Sequence, residues 1–267
     1  MIRMPAVAGR FYEANPELLK QEIEAYLDPT APKEKAIGAI CPHAGYMFSG
    51  HVAGAVYSRL IIPDTVVILG PNHTGLGSPA AIMTKGAWQM PFGPVPINET
   101  LASLILRASR VLEDDVEAHL YEHSLEVQVP FLQYLNPNIA IVPICISHLP
   151  YEALEDIGLA IAQGIVQSGE QALIVASTDM SHYVPHEVAQ QKDALAIEKI
   201  LALDPIGLLE VVMREKISMC GAFPTATALV ASKALGAKQA ELVKYATSGE
   251  VSGDFYQVVG YAGLIIR

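Results

Sequence analysis

Short apolar runs with no polar face alternate along this chain with stretches in which apolar residues recur at helical spacing. Residues 36–41 (AIGAIC), 65–69 (TVVIL), 139–146 and 172–176 (ALIVA) are of the first kind and predict strands buried on both sides of a sheet. Leu18, Leu19, Ile23, Tyr26 and Leu27 follow Asn15-Pro16, which predicts an amphipathic helix capped by Asn15 with Pro16 in its first position. Further helices are predicted over about 49–60, 98–111, 151–167, 186–203 and 204–215, the last capped by Asp204, and one more after Met219-Cys220-Gly221. Ser124 precedes a pattern at Leu125, Val129, Leu132 and Leu135 that predicts a helix capped by Ser124 and kinked or shortened by Pro130. Prolines forbid a central strand in 90–97, so 80–84 and 90–97 read as an irregular excursion or hairpin. Two strands, 242–246 and 258–266, close the chain. Strands and helices alternating without a linker or repeat predict an α/β fold with a mostly parallel sheet, one domain over residues 1–267.

Apolar residues make up 51% of the 267 and charged residues 17%, enough to fill a large core and too few charges for a disordered chain. The net charge of −11 argues against nucleic acid and anionic membrane surfaces as partners. No apolar run approaches the roughly 18 residues of a spanning helix, and the first residues lack the apolar core of a signal peptide, so a cytoplasmic chain is expected. Cys41, Cys145 and Cys220 are odd in number and widely spaced, which gives neither a disulfide framework nor a paired-thiol zinc motif. Cys41 and Cys145 lie inside apolar runs and are expected to be packing residues.

Polar residues collect where the buried runs end. In an open parallel sheet, ligands bind beyond the carboxyl ends of the strands, and neighbouring strands lie about 4.8 Å apart, so side chains leaving one edge can share one ion. Three runs end in turns that hold His43, His73, and Asp179 with His182. A single strand-end histidine is more often a hydrogen-bonded turn residue, and Asp179 could equally cap the next helix; three strands ending alike shift the balance towards a site. His119 and His123 precede the helix shortened by Pro130, and Glu126 lies near its positive end. His51, His148 and His186 have no such context and read as surface or packing residues. Alone, Cys220 reads as buried and inert, but the following Gly221 and helical pattern place it near a helix N-terminus, where a thiolate is stabilised. Histidines with a cysteine suit Fe(II), copper or zinc. The dinucleotide, nucleoside-triphosphate, zincin and α/β-hydrolase signatures are absent from the sequence.

The motifs PHAGY (42–46), GPNH (70–73), EHSLEVQVPF (122–131), STDMSHY (177–183) and MCG (219–221), with AGRFYEA (8–14) near the start and YAG (261–263) near the end, resemble the Memo family. That family is similar in fold to the class III, LigB-type extradiol dioxygenases, which implies a three-layer α/β sandwich with a metal pocket at one sheet edge. The resemblance implies His43, His73 and Cys220 as metal ligands. It also implies that Asp179 and His182 line the pocket and handle protons, with His123 and Glu126 as neighbours that orient the ligands. The dioxygenases hold iron with two histidines and a carboxylate, whereas a cysteine stands third here. A thiolate is a stronger and itself oxidisable donor, which points away from ring cleavage and towards one-electron redox work on iron or copper, zinc also suiting the ligands. A small molecule or peptide is the expected substrate. A peptide- or protein-binding module without catalysis is the alternative, and a hydrolase with Cys220 as nucleophile and His182 as base is a second. The family resemblance further implies a radical-SAM protein or an AMMECR1-like protein as partner, and homo-oligomerisation is compatible with it.

Overall fold

The four runs without a polar face become the middle of the sheet, the one place where both faces of a strand are covered. The computed structural model describes residues Met1–Arg267. Its first half comprises β1 (Ile2–Arg3), α1 (Pro16–Tyr26), β2 (Gly38–Cys41), α2 (Tyr46–Ser58), β3 (Thr65–Pro71), β4 (Ala80–Ile82), β5 (Ala87–Met90), β6 (Gly93–Pro96), α3 (Glu99–Ala108), β7 (Glu113–Asp114) and α4 (Val129–Leu135). The second half comprises β8 (Ala140–Ile146), α5 (Tyr151–Ser168), β9 (Ala172–Ser177), β10 (His182–Val184), α6 (His186–Leu201), α7 (Pro205–Arg214), α8 (Ala222–Ala234), β11 (Ala240–Thr247), α9 (Gly249–Ser252) and β12 (Val258–Ile266).

The main sheet has the order β10-β12-β2-β9-β3-β8-β4-β7, with β11 also paired to β12. Its centre, β2-β9-β3-β8, is parallel throughout. Helices cover both faces. Gly38 lies against Ser232 of α8, whereas Cys41, three residues on and so turned to the other face, lies beside Tyr57 of α2. The result is the large, mostly parallel sheet between helices that the alternating pattern predicts. β9 is the last of the central four in sequence, yet it lies between β2 and β3. The carboxyl ends of β2, β9 and β3 therefore open side by side.

Asn15 and Asp204 cap their helices as expected, through Glu17 and Leu18 N–H and through Gly207 N–H. Ser124 does not cap a helix. The chain first makes a 3₁₀ turn, Glu126–Gln128, before α4, and the Ser124 hydroxyl instead donates to the Pro71 carbonyl at 3.0 Å. The proline-rich excursion contributes β4 to the main sheet and a β5–β6 hairpin to a separate small sheet, with Pro94 and Pro96 on the outer strand. Cys41 and Cys145 are buried, in a cluster of 66 apolar residues. No helix is long and apolar enough to cross a membrane.

His119 is wholly buried beside Trp88, and its ring nitrogens lack a well-aligned hydrogen-bond partner. Burial, and secondarily the Arg3 charge, pushes its pKa down to about 4. The unfolded chain, with an ordinary histidine value near 6.5, binds the proton more readily. This residue's contribution is therefore complete above about pH 6.5 and is lost as pH falls towards 4, roughly 3 kcal/mol in all. A His119→Gln variant should lose about 3 kcal/mol less than wild type between pH 7 and pH 4 in urea unfolding. Equal losses in the two proteins would show that His119 is not the group responsible.

Candidate metal centre

His43 leaves the end of β2 and His73 the end of β3, with β9 between them. Two glycines let the surrounding segments close on this edge. A Cβ on Gly70 would lie 2.5 Å from Leu125 and 2.7 Å from the Ser124 hydroxyl, and one on Gly221 would run into Thr178 and Ser177. The segment carrying His123 therefore seats on β3, and the segment carrying Cys220 seats on the turn after β9.

The three histidines His43, His73 and His123 each offer a ligand atom within 4.8 Å of the other two. The His73 and His123 rings stack with centroids 4.6 Å apart, and His43 meets both edge-on at 5.3 and 5.4 Å. His43 is buried, while the His73 and His123 side chains are 34% and 23% exposed, so the cluster opens to solvent on their side. The Phe11 ring closes part of that mouth, 4.9 Å from His123.

Hydrogen bonds fix which nitrogens face the cluster. The Ser177 hydroxyl donates its one proton to the Ser124 carbonyl at 2.6 Å. It accepts from Gln128 Nε2 at 2.8 Å, and that amide is held the right way round by donating also to the Pro42 carbonyl at 2.9 Å. With its proton already committed, Ser177 can only accept from His43 Nδ1, 2.9 Å away, so Nδ1 carries the hydrogen and Nε2 the free lone pair. Burial first, then the neighbouring His123 and His73, holds His43 well below the usual histidine range, and burial likewise lowers His123. Both are neutral at pH 7, the form that binds metals.

A buried carboxylate stands behind the other two rings and is hydrogen-bonded to one of them. Glu122 Oε1 lies 2.9 Å from His73 Nδ1 and 3.4 Å from His123 Nδ1, and it accepts the Ser124 N–H at 2.8 Å. Burial opposes its ionisation, but the His73 hydrogen bond and charge, the Ser124 N–H and His123 outweigh that and hold it at about 2. An ionised Glu122 only accepts, so His73 Nδ1 carries the hydrogen and its Nε2 is the nitrogen that could bind a metal. A carboxylate behind a histidine is the usual support of metal-binding imidazoles.

Cys220 Sγ sits 3.2 Å from His43 Nε2 and accepts the Asp179 N–H at 3.2 Å. Its segment does lead into α8, but burial, and then the Asp179 charge, pushes the thiol up rather than down. The expected stabilisation of a thiolate by the helix N-terminus is thus outweighed. Asp179 accepts the His43 backbone N–H at 2.8 Å and is itself pushed up to about 6 by burial, against the pull of that N–H and of His182. His182 Nδ1 lies 2.8 Å from two carbonyls, Met180 and Ser218; carbonyls only accept, so Nδ1 carries the hydrogen and Nε2 is free to take one.

A family model described as Memo-like protein matches residues 3–265. The chain belongs to the Memo family. A MEMO1 family protein of Methanopyrus kandleri is 47% identical, the match covering 100% of this chain and 99% of that one. Those of Methanothermobacter thermautotrophicus and Methanocaldococcus jannaschii are each 44% identical, over 99% and 100% of this chain. Among solved structures, an uncharacterized protein of Escherichia coli K12 is 13% identical with a TM-score of 0.60, covering 86% of this chain and 100% of that one, a likeness of fold.

In this Memo-family chain the strand-end residues His43, His73, Asp179 and His182 gather at one edge with Cys220, but the tightest group draws its third imidazole from elsewhere. His123, expected beside the ligands, stands in the group of three histidines that could hold a metal ion. Glu126, expected to orient them, is turned the other way: it binds Arg3, the Ala6 and Val7 N–H groups and the Tyr12 hydroxyl. Its anticipated task falls to Glu122, which the sequence reading passed over. The signal for it was the Glu-His step at 122–123, a carboxylate fixed next to one imidazole.

Proposed function

We propose that this chain is a metal-dependent redox enzyme that holds iron or copper between His43, His73 and His123, with Cys220 joining as a further ligand when its thiol loses a proton. The observation that supports this reading is the convergence of three imidazoles with ligand atoms within 4.8 Å of one another, His43 held at Nδ1 by Ser177 and His73 held at Nδ1 by Glu122, which leaves the Nε2 lone pairs of these two free for a metal. Such a donor set suits soft and borderline metals and leaves coordination positions open. Iron or copper would supply one-electron redox chemistry there. The chain supplies the proton handling: Asp179, raised to about 6, is a carboxylate at pH 7 that can take up a proton close to His43 more readily than an ordinary aspartate, and His182 Nε2 can accept one from a substrate. Zinc fits the same donors without redox chemistry. The raised thiol of Cys220 weighs against the cysteine-hydrolase alternative.

Anaerobic reconstitution with Fe(II) or Cu(I) tests this. About one metal per chain, cycling reversibly between two oxidation states, is expected, and binding at pH 7 should release about one proton more in wild type than in Cys220→Ser, as measured by calorimetry in two buffers. Failure to bind metal in stoichiometric amount, or a bound ion that does not cycle, would overturn the enzyme reading; equal proton release would remove Cys220 from the ligand set.

A further inference from the structure

A second cavity opens at the same sheet edge, on the other side of the segment that carries Cys220. It encloses about 510 Å³, a volume typical of small-molecule sites. The loop after β8, the outer side of α7, and residues 216–219 with the start of α8 build its walls. Met219 lines this cavity, while the next side chain, Cys220, lies against His43, so the cavity and the histidine cluster share one thin wall.

The lining is chosen for a ring. Leu209, Val212 and Met213 of α7 contribute an apolar wall, and Met213 is 68% exposed although it lies on a concave surface. Across from α7, the His148 and Phe223 rings meet edge-on with centroids 4.4 Å apart, an aromatic pair to which a third ring can add. The thioethers of Met213 and Met219 favour aromatic contact as well. The charged groups at the rim, Glu210 and Lys216, are of opposite sign and favour neither an anion nor a cation. The apolar surface folds inward instead of spreading as a flat face, which suits a small molecule better than a protein surface.

We propose that this cavity is a binding site for an uncharged aromatic molecule of two or three rings, distinct from the metal centre. The probe is N-phenyl-1-naphthylamine, which fluoresces when it enters an apolar environment. Saturable binding of about one dye per chain is expected, weakened about tenfold or more by Leu209→Trp, which fills the cavity, and by Met213→Asp, which puts a charge on its wall. Met213 is exposed, so the second variant keeps the test open if the first does not fold. His43→Ala should bind the dye as wild type does, which separates this result from the fate of the metal reading. Unsaturable binding, binding that neither variant weakens, or a dimer that covers the cavity and excludes the dye would each overturn the proposal.

Discussion

Replacing Glu126 with alanine is expected to cost about 3–5 kcal/mol of folding stability, the range for breaking a buried ion pair from one side. Glu126 and Arg3 are both wholly buried and lie 2.7 Å apart. The carboxylate also accepts the Ala6 N–H at 2.7 Å, the Val7 N–H at 3.0 Å and the Tyr12 hydroxyl at 2.7 Å. Removing it strands four donors at once, among them a guanidinium stacked on Trp88 and far from water. Arg3 keeps its bonds to the His119 and Glu122 carbonyls, so its charge stays buried and unmatched. Urea unfolding at pH 7 measures the loss, and Glu126→Gln, which retains the shape and one of the two acceptor oxygens, should lose less than alanine. A loss under about 1 kcal/mol in Glu126→Ala would mean that water replaces the carboxylate and that this pair is not an anchor.

His43→Ala is expected to weaken metal binding by more than the roughly 100-fold at the upper end for losing an outer partner of a ligand, because it removes a ligand itself. His43 belongs both to the group with His73 and His123 and to any set that uses Cys220, its nearest sulfur. Cys220→Ser and His123→Ala each remove one donor from one version of the site, whereas His43→Ala removes the donor common to both. Competition against a chromophoric chelator gives the affinities. Binding by His43→Ala within tenfold of wild type would place the metal elsewhere on the chain.

The strand-end residues were legible in the sequence for a physical reason. A strand buried on both faces carries no polar residue, so the first polar groups beyond it stand out, and the parallel arrangement brings those ends to one edge. His43, His73 and Asp179 are found in this way. His123 was harder to place because it follows no strand; its position depends on the Ser124 hydroxyl reaching the Pro71 carbonyl and on Leu125 packing over Gly70, contacts across some fifty residues of chain. Glu122 and Glu126 lie four residues apart and face different parts of the protein, one holding histidines and the other the first turns of the chain. Spacing near a helix start pointed to Glu126, and only tertiary contacts tell the two apart. Ser124 misled for a related reason: as a sequence signal it resembles a cap, but the chain enters α4 through the 3₁₀ turn Glu126–Gln128, and the hydroxyl is turned to the Pro71 carbonyl, accepting no N–H of the helix.

The placement of β9 between β2 and β3 also sets an order of assembly. His43, His73 and His123 all lie in the first half of the chain, yet the strand that spaces the first two comes from residues 172–177, and Ser177 on it holds His43 in its tautomer. Contacts this distant in sequence form late, after the loop-closure entropy has been met. During synthesis the growing chain therefore carries its imidazoles for some time without a place to hold them together, and the cluster that could take up an ion closes with the insertion of a single strand.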